Sequence, residues 1–86
     1  MVNDEKGAVT IYGAEWCPPC HMLKQYLDSK KVAYKYINID EEPAAGREIS
    51  AKTGWMAIPI TAIGDEHILG FDRAKIDSAL RANQLI

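Results

Sequence analysis

Both cysteines of this 86-residue chain fall within "EWCPPCH", Glu15 to His21, and a Cys-x-x-Cys pair has several incompatible uses. It can cycle between dithiol and disulfide, supply half of a zinc site, or, read as C-x-x-C-H, anchor a haem. A haem on Cys17 and Cys20 would take His21 as axial ligand and Met22 or Met56 as the sixth, but attachment of this kind takes place outside the cytoplasm. The start of the chain, "MVNDEKGA", has neither the basic opening nor the long apolar run of an export signal, so a cytoplasmic location is expected. In that compartment thiols are kept reduced, and a spaced pair is catalytic or metal-binding more often than a permanent staple. Zinc would need Cys17, Cys20, His21 and His67, yet Cys20 and His21 are adjacent and would point to different sides of a helix. The plainest use, a pair of buried inert cysteines, has no need of a helix start.

A helix start is where the flanking elements put the pair. "AVTIYG", Ala8 to Gly13, is short, β-branched and aromatic and predicts a strand. "PPCHMLKQYLDSKK" follows with Met22, Leu23, Tyr26 and Leu27 at helical spacing, proline at its beginning and lysines in its last turn. "VAYKYINID", Val32 to Asp40, predicts a second strand, apolar on both faces and therefore covered on both. "EEPAAGREISAKTG" predicts a helix opened by acids and Pro43 and closed by Gly54, although Gly46 lies inside it. "IPITAI" and "HILG" around Gly64 and Asp65 predict a hairpin. Asp72 is placed to cap a last helix running toward Asn83, with Phe71 and Ile76 as a hydrophobic staple across its start. The order is β-α-β-α-β-β-α, one domain over residues 1–86.

Cys17 at the N-cap would face unpaired backbone N–H groups and the positive end of the helix dipole, both of which favour thiolate over thiol. Its pKa is expected to fall below the roughly 8.5 of a free thiol, which makes it the nucleophile. Cys20, one turn on and more enclosed, is the expected resolving thiol. Pro18 and Pro19 cost no helix hydrogen bonds, because first-turn N–H groups have no intrahelical acceptor, although proline after proline biases Pro18 away from the α region and predicts a helix beginning in earnest at Pro19. Composition agrees with a small soluble enzyme. Ten Lys and Arg are scattered among twelve acids, for a formal net charge of −2, with no basic run that would hold a row of phosphates and no apolar stretch that would enter a membrane. A monomer acting on a disulfide-containing protein is expected, without metal or organic cofactor beyond the Cys17–Cys20 disulfide itself.

The dithiol at the first strand-to-helix turn, the "IP" opening the third strand and the "GFD" opening the last helix together resemble a glutaredoxin of the thioredoxin superfamily, over nearly the whole chain. "AEWCPPC" is similar to the thioredoxin motif, while "GWMAIP" with "GFD" is similar to the glutaredoxin-like proteins that donate electrons to ribonucleotide reductase. The resemblance implies a thioredoxin-like α/β fold with a four-stranded mixed sheet flanked by three helices. It implies a cis Pro59 facing the dithiol and an Ile58 backbone that pairs with the substrate's main chain. It also implies that Gly70 and Asp72, with Phe71 between them, hold the γ-glutamyl end of glutathione, should glutathione be a co-substrate. Two departures stand out. The lysine that glutathione-using members carry before the first cysteine is replaced by Gly13, Ala14 and Glu15, and the cation or glutamine before their proline by Trp55, Met56 and Ala57. A thioredoxin reductase is therefore expected to recycle the disulfide better than glutathione. The buried acid of thioredoxins is absent from "AVTIYG", so proton transfer to Cys20 would use water or His21. Trp16 reads as a lid over the sulfur that contacts substrate, or else as a partly buried core aromatic. His21 reads equally as an exposed helix residue or a charge that tunes the thiols, and Trp55 and Met56 as packing or as a rim for a protein partner.

Overall fold

Alternation along β1 (Val9–Gly13) buries Val9, Ile11 and Gly13 and leaves Thr10 and Tyr12 half-buried, so the strand is covered on one face and partly on the other. In the computed structural model, which describes residues 8–86, β1 pairs in parallel with β2 (Lys35–Asn38) and antiparallel with β3 (Ile60–Ile63). β3 in turn pairs antiparallel with β4 (Glu66–Leu69), giving the sheet order β2-β1-β3-β4. Of the segment read for an export signal, "MVNDEKGA", residues 1–7 lie outside the described residues. Helices α1 (Pro18–Ser29), α2 (Pro43–Thr53) and α3 (Arg73–Ala82) complete the β-α-β-α-β-β-α order and the four-stranded mixed sheet that the residues and the resemblance led us to expect.

The main core gathers Val9 and Ile11 of β1, Leu23 and Leu27 of α1, Ile63 and Ile68 of the hairpin, and Ile76, Ala79 and Leu80 of α3. Burying each leucine or isoleucine contributes roughly 1.5–3 kcal/mol, so α1 and α3 are held to the sheet by two such side chains apiece. On α1 the buried positions are Cys20, Leu23 and Leu27, spaced by three and four, which is the helical repeat. Met22, one position off that stripe, is exposed. The same stripe that anchors α1 thus carries the second cysteine inward.

Several boundaries differ from the sequence expectation for physical reasons. Helix α1 begins at Pro18 rather than Pro19, and its lysines lie past its last turn. Lys30 is the C-cap, Lys31 is left-handed at φ 59°, and Val32 N–H returns to the Leu27 carbonyl to close the helix. β2 is shorter than Val32–Asp40 and is not covered on both faces: it is an edge strand, in which Ile37 alone is buried while Lys35 is exposed and Tyr36 half-buried. Its tyrosines explain the misreading, because each presents an apolar ring and a polar tip. Tyr34 donates to Asp28 Oδ1 at 3.0 Å, and burial together with that carboxylate pushes its phenol up to about 12. Because the folded value lies above the ordinary 10, this contribution to stability is complete below pH 10 and is lost as pH rises through about 12. Spectrophotometric titration of wild type against Tyr34→Phe is expected to show one phenol ionising only near that upper limit.

Gly46 sits in α2 for a steric reason. A Cβ there would meet Ile39 Cβ at 3.2 Å, so the missing side chain lets α2 pack closely against the chain leaving β2. Gly54 ends the helix at φ 81° with its N–H on the Ser50 carbonyl, as expected of a glycine stop. On α3, Asp72 Oδ1 accepts from Lys75 N–H at 3.1 Å, Ile76 is fully buried, and Phe71 packs edge-on against Tyr26 at 5.7 Å.

Candidate active site

The turn between β1 and α1 brings Cys17 to the N-cap with extended backbone angles (φ −108°, ψ 100°), as the sequence predicts. Pro18 and Pro19 carry no N–H, so the first amide the helix can offer is that of Cys20. It points back at Cys17, donating to the Cys17 Sγ at 3.2 Å and to the Cys17 carbonyl at 3.1 Å. The sulfur is therefore aimed at the positive end of α1 by the prolines that precede its first donor. The two cysteines form a disulfide with their Cα atoms 5.2 Å apart, within the span such a bridge needs. This is the oxidised form, and in it Cys17 is 3% and Cys20 0% exposed.

Ala14 and Ile58 complete a small apolar cluster around the disulfide, separate from the main core. The Ile58–Pro59 bond is cis, and Pro59 is buried. β3 begins only at Ile60, and among the described residues no backbone hydrogen bond is seen at Ile58, which packs against the disulfide cluster from outside the ladder. Gly70 joins this loop through its N–H, which donates to the Pro59 carbonyl at 2.8 Å. Of the remaining residues in that motif, Asp72 commits one carboxylate oxygen to the α3 cap and Phe71 turns its ring to Tyr26 and packs against the main core.

Trp16 is not a core aromatic. It is 66% exposed, with its indole N–H donating to Asp40 Oδ2 at 2.7 Å. That bond holds the ring, which lines a groove of about 820 Å³. The groove passes Ile58, Ala57 and Met56 and reaches α2, and Met56 at its rim is 90% exposed. Ser50 Oγ–H donates to Met56 Sδ at 3.0 Å. Arg47 of α2 lines it too, the one cationic side chain among its lining residues. Sequence reasoning searched for a cation beside Cys17 and before Pro59 and missed this one, because nothing in the linear order of α2 shows which turn faces the groove.

His21 is bound rather than free. Its Nε2 lies 2.7 Å from the Glu15 carbonyl, and since a carbonyl only accepts, that nitrogen carries the hydrogen. The ring thus braces the turn that leads into Cys17. Among the described residues no group of three or more His, Cys, Asp or Glu side chains is close enough to share a metal ion, and no helix is long and apolar enough to cross a membrane.

Comparison with known proteins agrees with this geometry. The family model described as Glutaredoxin matches residues 9–68. A glutaredoxin of Pseudomonas aeruginosa is 35% identical over 81 residues, covering 86% of this chain and 96% of that protein. The glutaredoxin-like protein NrdH of Lactococcus lactis is 33% identical, covering 73% of this chain and 86% of its own. Among solved structures, the glutaredoxin-like NrdH-redoxin of Escherichia coli superposes with a TM-score of 0.76 at 28% identity, over 81% of this chain and 91% of that one. Since the matched span runs from the first residue of β1 into β4 and so takes in the disulfide turn, the cis-proline loop and the strands that hold them, the chain belongs to the glutaredoxin family of dithiol-disulfide oxidoreductases.

Proposed function

We propose that the chain reduces disulfides of protein targets and is itself recycled by a flavoprotein thioredoxin reductase in preference to glutathione. The reduced Cys17 thiolate attacks a target sulfur, forming a mixed disulfide and releasing the target's other sulfur as a thiolate. Cys20 then attacks Cys17 Sγ; the Cys17–Cys20 bond forms, the bond to the target breaks, and two electrons have passed to the target. Ile58 offers its unladdered backbone to the target's main chain during both steps, and Trp16 and Met56 offer apolar surface.

The observation that carries this reading is the groove. It includes Ile58, which packs against the disulfide, it is lined largely by apolar side chains including Trp16, Trp55 and Met56, and a tripeptide with two carboxylates finds a single cation there. Losing one charge-assisted contact costs about 1.5–3 kcal/mol, on the order of tenfold to a hundredfold in affinity. The Escherichia coli redoxin named above is described as having a thioredoxin-like activity profile, which supports the same choice of donor. A second reading rests on Arg47, which could meet one glutathione carboxylate while Gly70 and Asp72 hold the other end. Side-by-side turnover of a protein disulfide separates the two. We expect thioredoxin reductase with NADPH to support the faster rate, and a faster rate with millimolar glutathione and glutathione reductase would make Arg47 the decisive contact.

A further inference from the structure

Cys20 is the residue whose chemistry the site leaves least supported. It is fully buried, and a thiol in such surroundings holds its proton, yet it must be a thiolate to attack. No carboxylate of β1 reaches it, and His21 Nε2 is engaged with Glu15. One polar group does stand over it. A side chain begun at Gly13 would place its first atom 2.5 Å from Tyr36 Oη and 2.9 Å from Cys20 Sγ, so the hydroxyl and the sulfur face one another across the space that Gly13 leaves open. In the oxidised form that hydroxyl donates to the Ala14 carbonyl at 3.3 Å, longer than the usual O–H···O bond of about 2.5–3.0 Å.

We infer that Tyr36 is a positioning residue for the resolving step: once the disulfide is open, its O–H donates to the Cys20 thiolate, directly or through one water in the Gly13 gap, and so makes that thiolate available for attack. The inference rests on the reading that Cys17 attacks and Cys20 resolves. Cys20 loses its proton to solvent in an equilibrium ahead of the attack; the hydrogen bond shifts this equilibrium, and Tyr36 keeps its own proton throughout. The hydroxyl carries its proton at neutral pH and so can donate; burial, with the Glu15 carboxylate nearby, moves its ionisation further up. The other charged and titratable groups facing this pair are Lys24, whose Nζ lies 4.2 Å from the centre of the Tyr36 ring, and Tyr34 on the same edge of the sheet. Lys24 sits over the ring from α1.

Tyr36→Phe keeps the ring, its packing and its contact with Lys24 and removes only the hydroxyl. In a Cys17→Ser background, where Cys20 titrates alone, alkylation rate against pH is expected to show its pKa about one unit higher with phenylalanine than with tyrosine, the usual worth of one hydrogen bond to a charged group. In the otherwise wild-type protein, the mixed disulfide on Cys17 is expected to form at an unchanged rate and to resolve about tenfold more slowly at neutral pH, with the deficit closing as pH rises. Superimposable Cys20 titrations with tyrosine and phenylalanine would overturn the inference, as would a deficit that does not depend on pH. Failure of Cys20→Ser to accumulate any adduct on Cys17 would instead overturn the assignment of roles on which it stands.

Discussion

Cys17→Ser is expected to abolish disulfide reductase turnover, while Cys20→Ser retains the first chemical step and loses the second. The asymmetry follows from where the two sulfurs sit on α1. Cys17 lies outside the helix with its sulfur on the Cys20 amide, and the prolines leave that amide as the first donor of the helix. Cys20 lies on the stripe with Leu23 and Leu27, fully enclosed. With Cys17 at the N-cap as the attacking sulfur, removing it removes the nucleophile, and a serine hydroxyl with its far higher pKa does not replace a thiolate. Turnover of Cys17→Ser should fall to the rate of the uncatalysed exchange, a loss of several orders of magnitude. The Cys20→Ser protein should turn over slowly through external thiols while its single-turnover burst on a disulfide target persists. Stopped assays with a chromogenic disulfide, with and without added thiol, distinguish these outcomes.

The second large effect is expected at Gly13, whose missing side chain has a structural use. A Cβ there would come 2.9 Å from Cys20 Sγ and 3.1 Å from Cys20 Cβ, in addition to its contact with the Tyr36 hydroxyl. The tyrosine tip can swing away, but Cys20 is fixed by its helix and by the disulfide, so the strain falls on the dithiol. Overpacking of this kind costs about 1–3 kcal/mol. Gly13→Ala is therefore expected to lower thermal stability of the oxidised form and to slow closure of the Cys17–Cys20 bond, roughly five- to hundredfold if the whole strain is felt in the resolving step. Denaturation of the oxidised and reduced proteins in parallel checks it, the oxidised form being expected to lose more.

The positions of strands, helices and the dithiol were legible because each rests on a local rule. Period-two burial marks β1, prolines and a capping cysteine mark the start of α1, and Gly54 marks the end of α2. What escaped the sequence depended on neighbours far along the chain. β2 has the apolar content of a covered strand, yet its place at the sheet edge leaves its tyrosines half in solvent. Gly46 looked like a flaw in a helix until Ile39 was seen against it. Arg47 joins the groove, and Tyr36 faces Cys20, only because α2 and β2 fold back toward the turn that holds the cysteines. Trp16 is adjacent to Cys17 in the chain, but only the bond to Asp40, 24 positions away, tells that it is held outward.

The claim at the centre of this account is that Cys17, and not Cys20, forms the bond to the target. It is tested most directly by mixing the reduced Cys20→Ser protein with a disulfide-bonded protein target, quenching with acid, and locating the adduct by peptide mass spectrometry. The account predicts one target molecule attached through Cys17 and no adduct in a parallel Cys17→Ser sample. An adduct on Cys20 in the latter at a comparable rate, or none on Cys17 in the former, would contradict it.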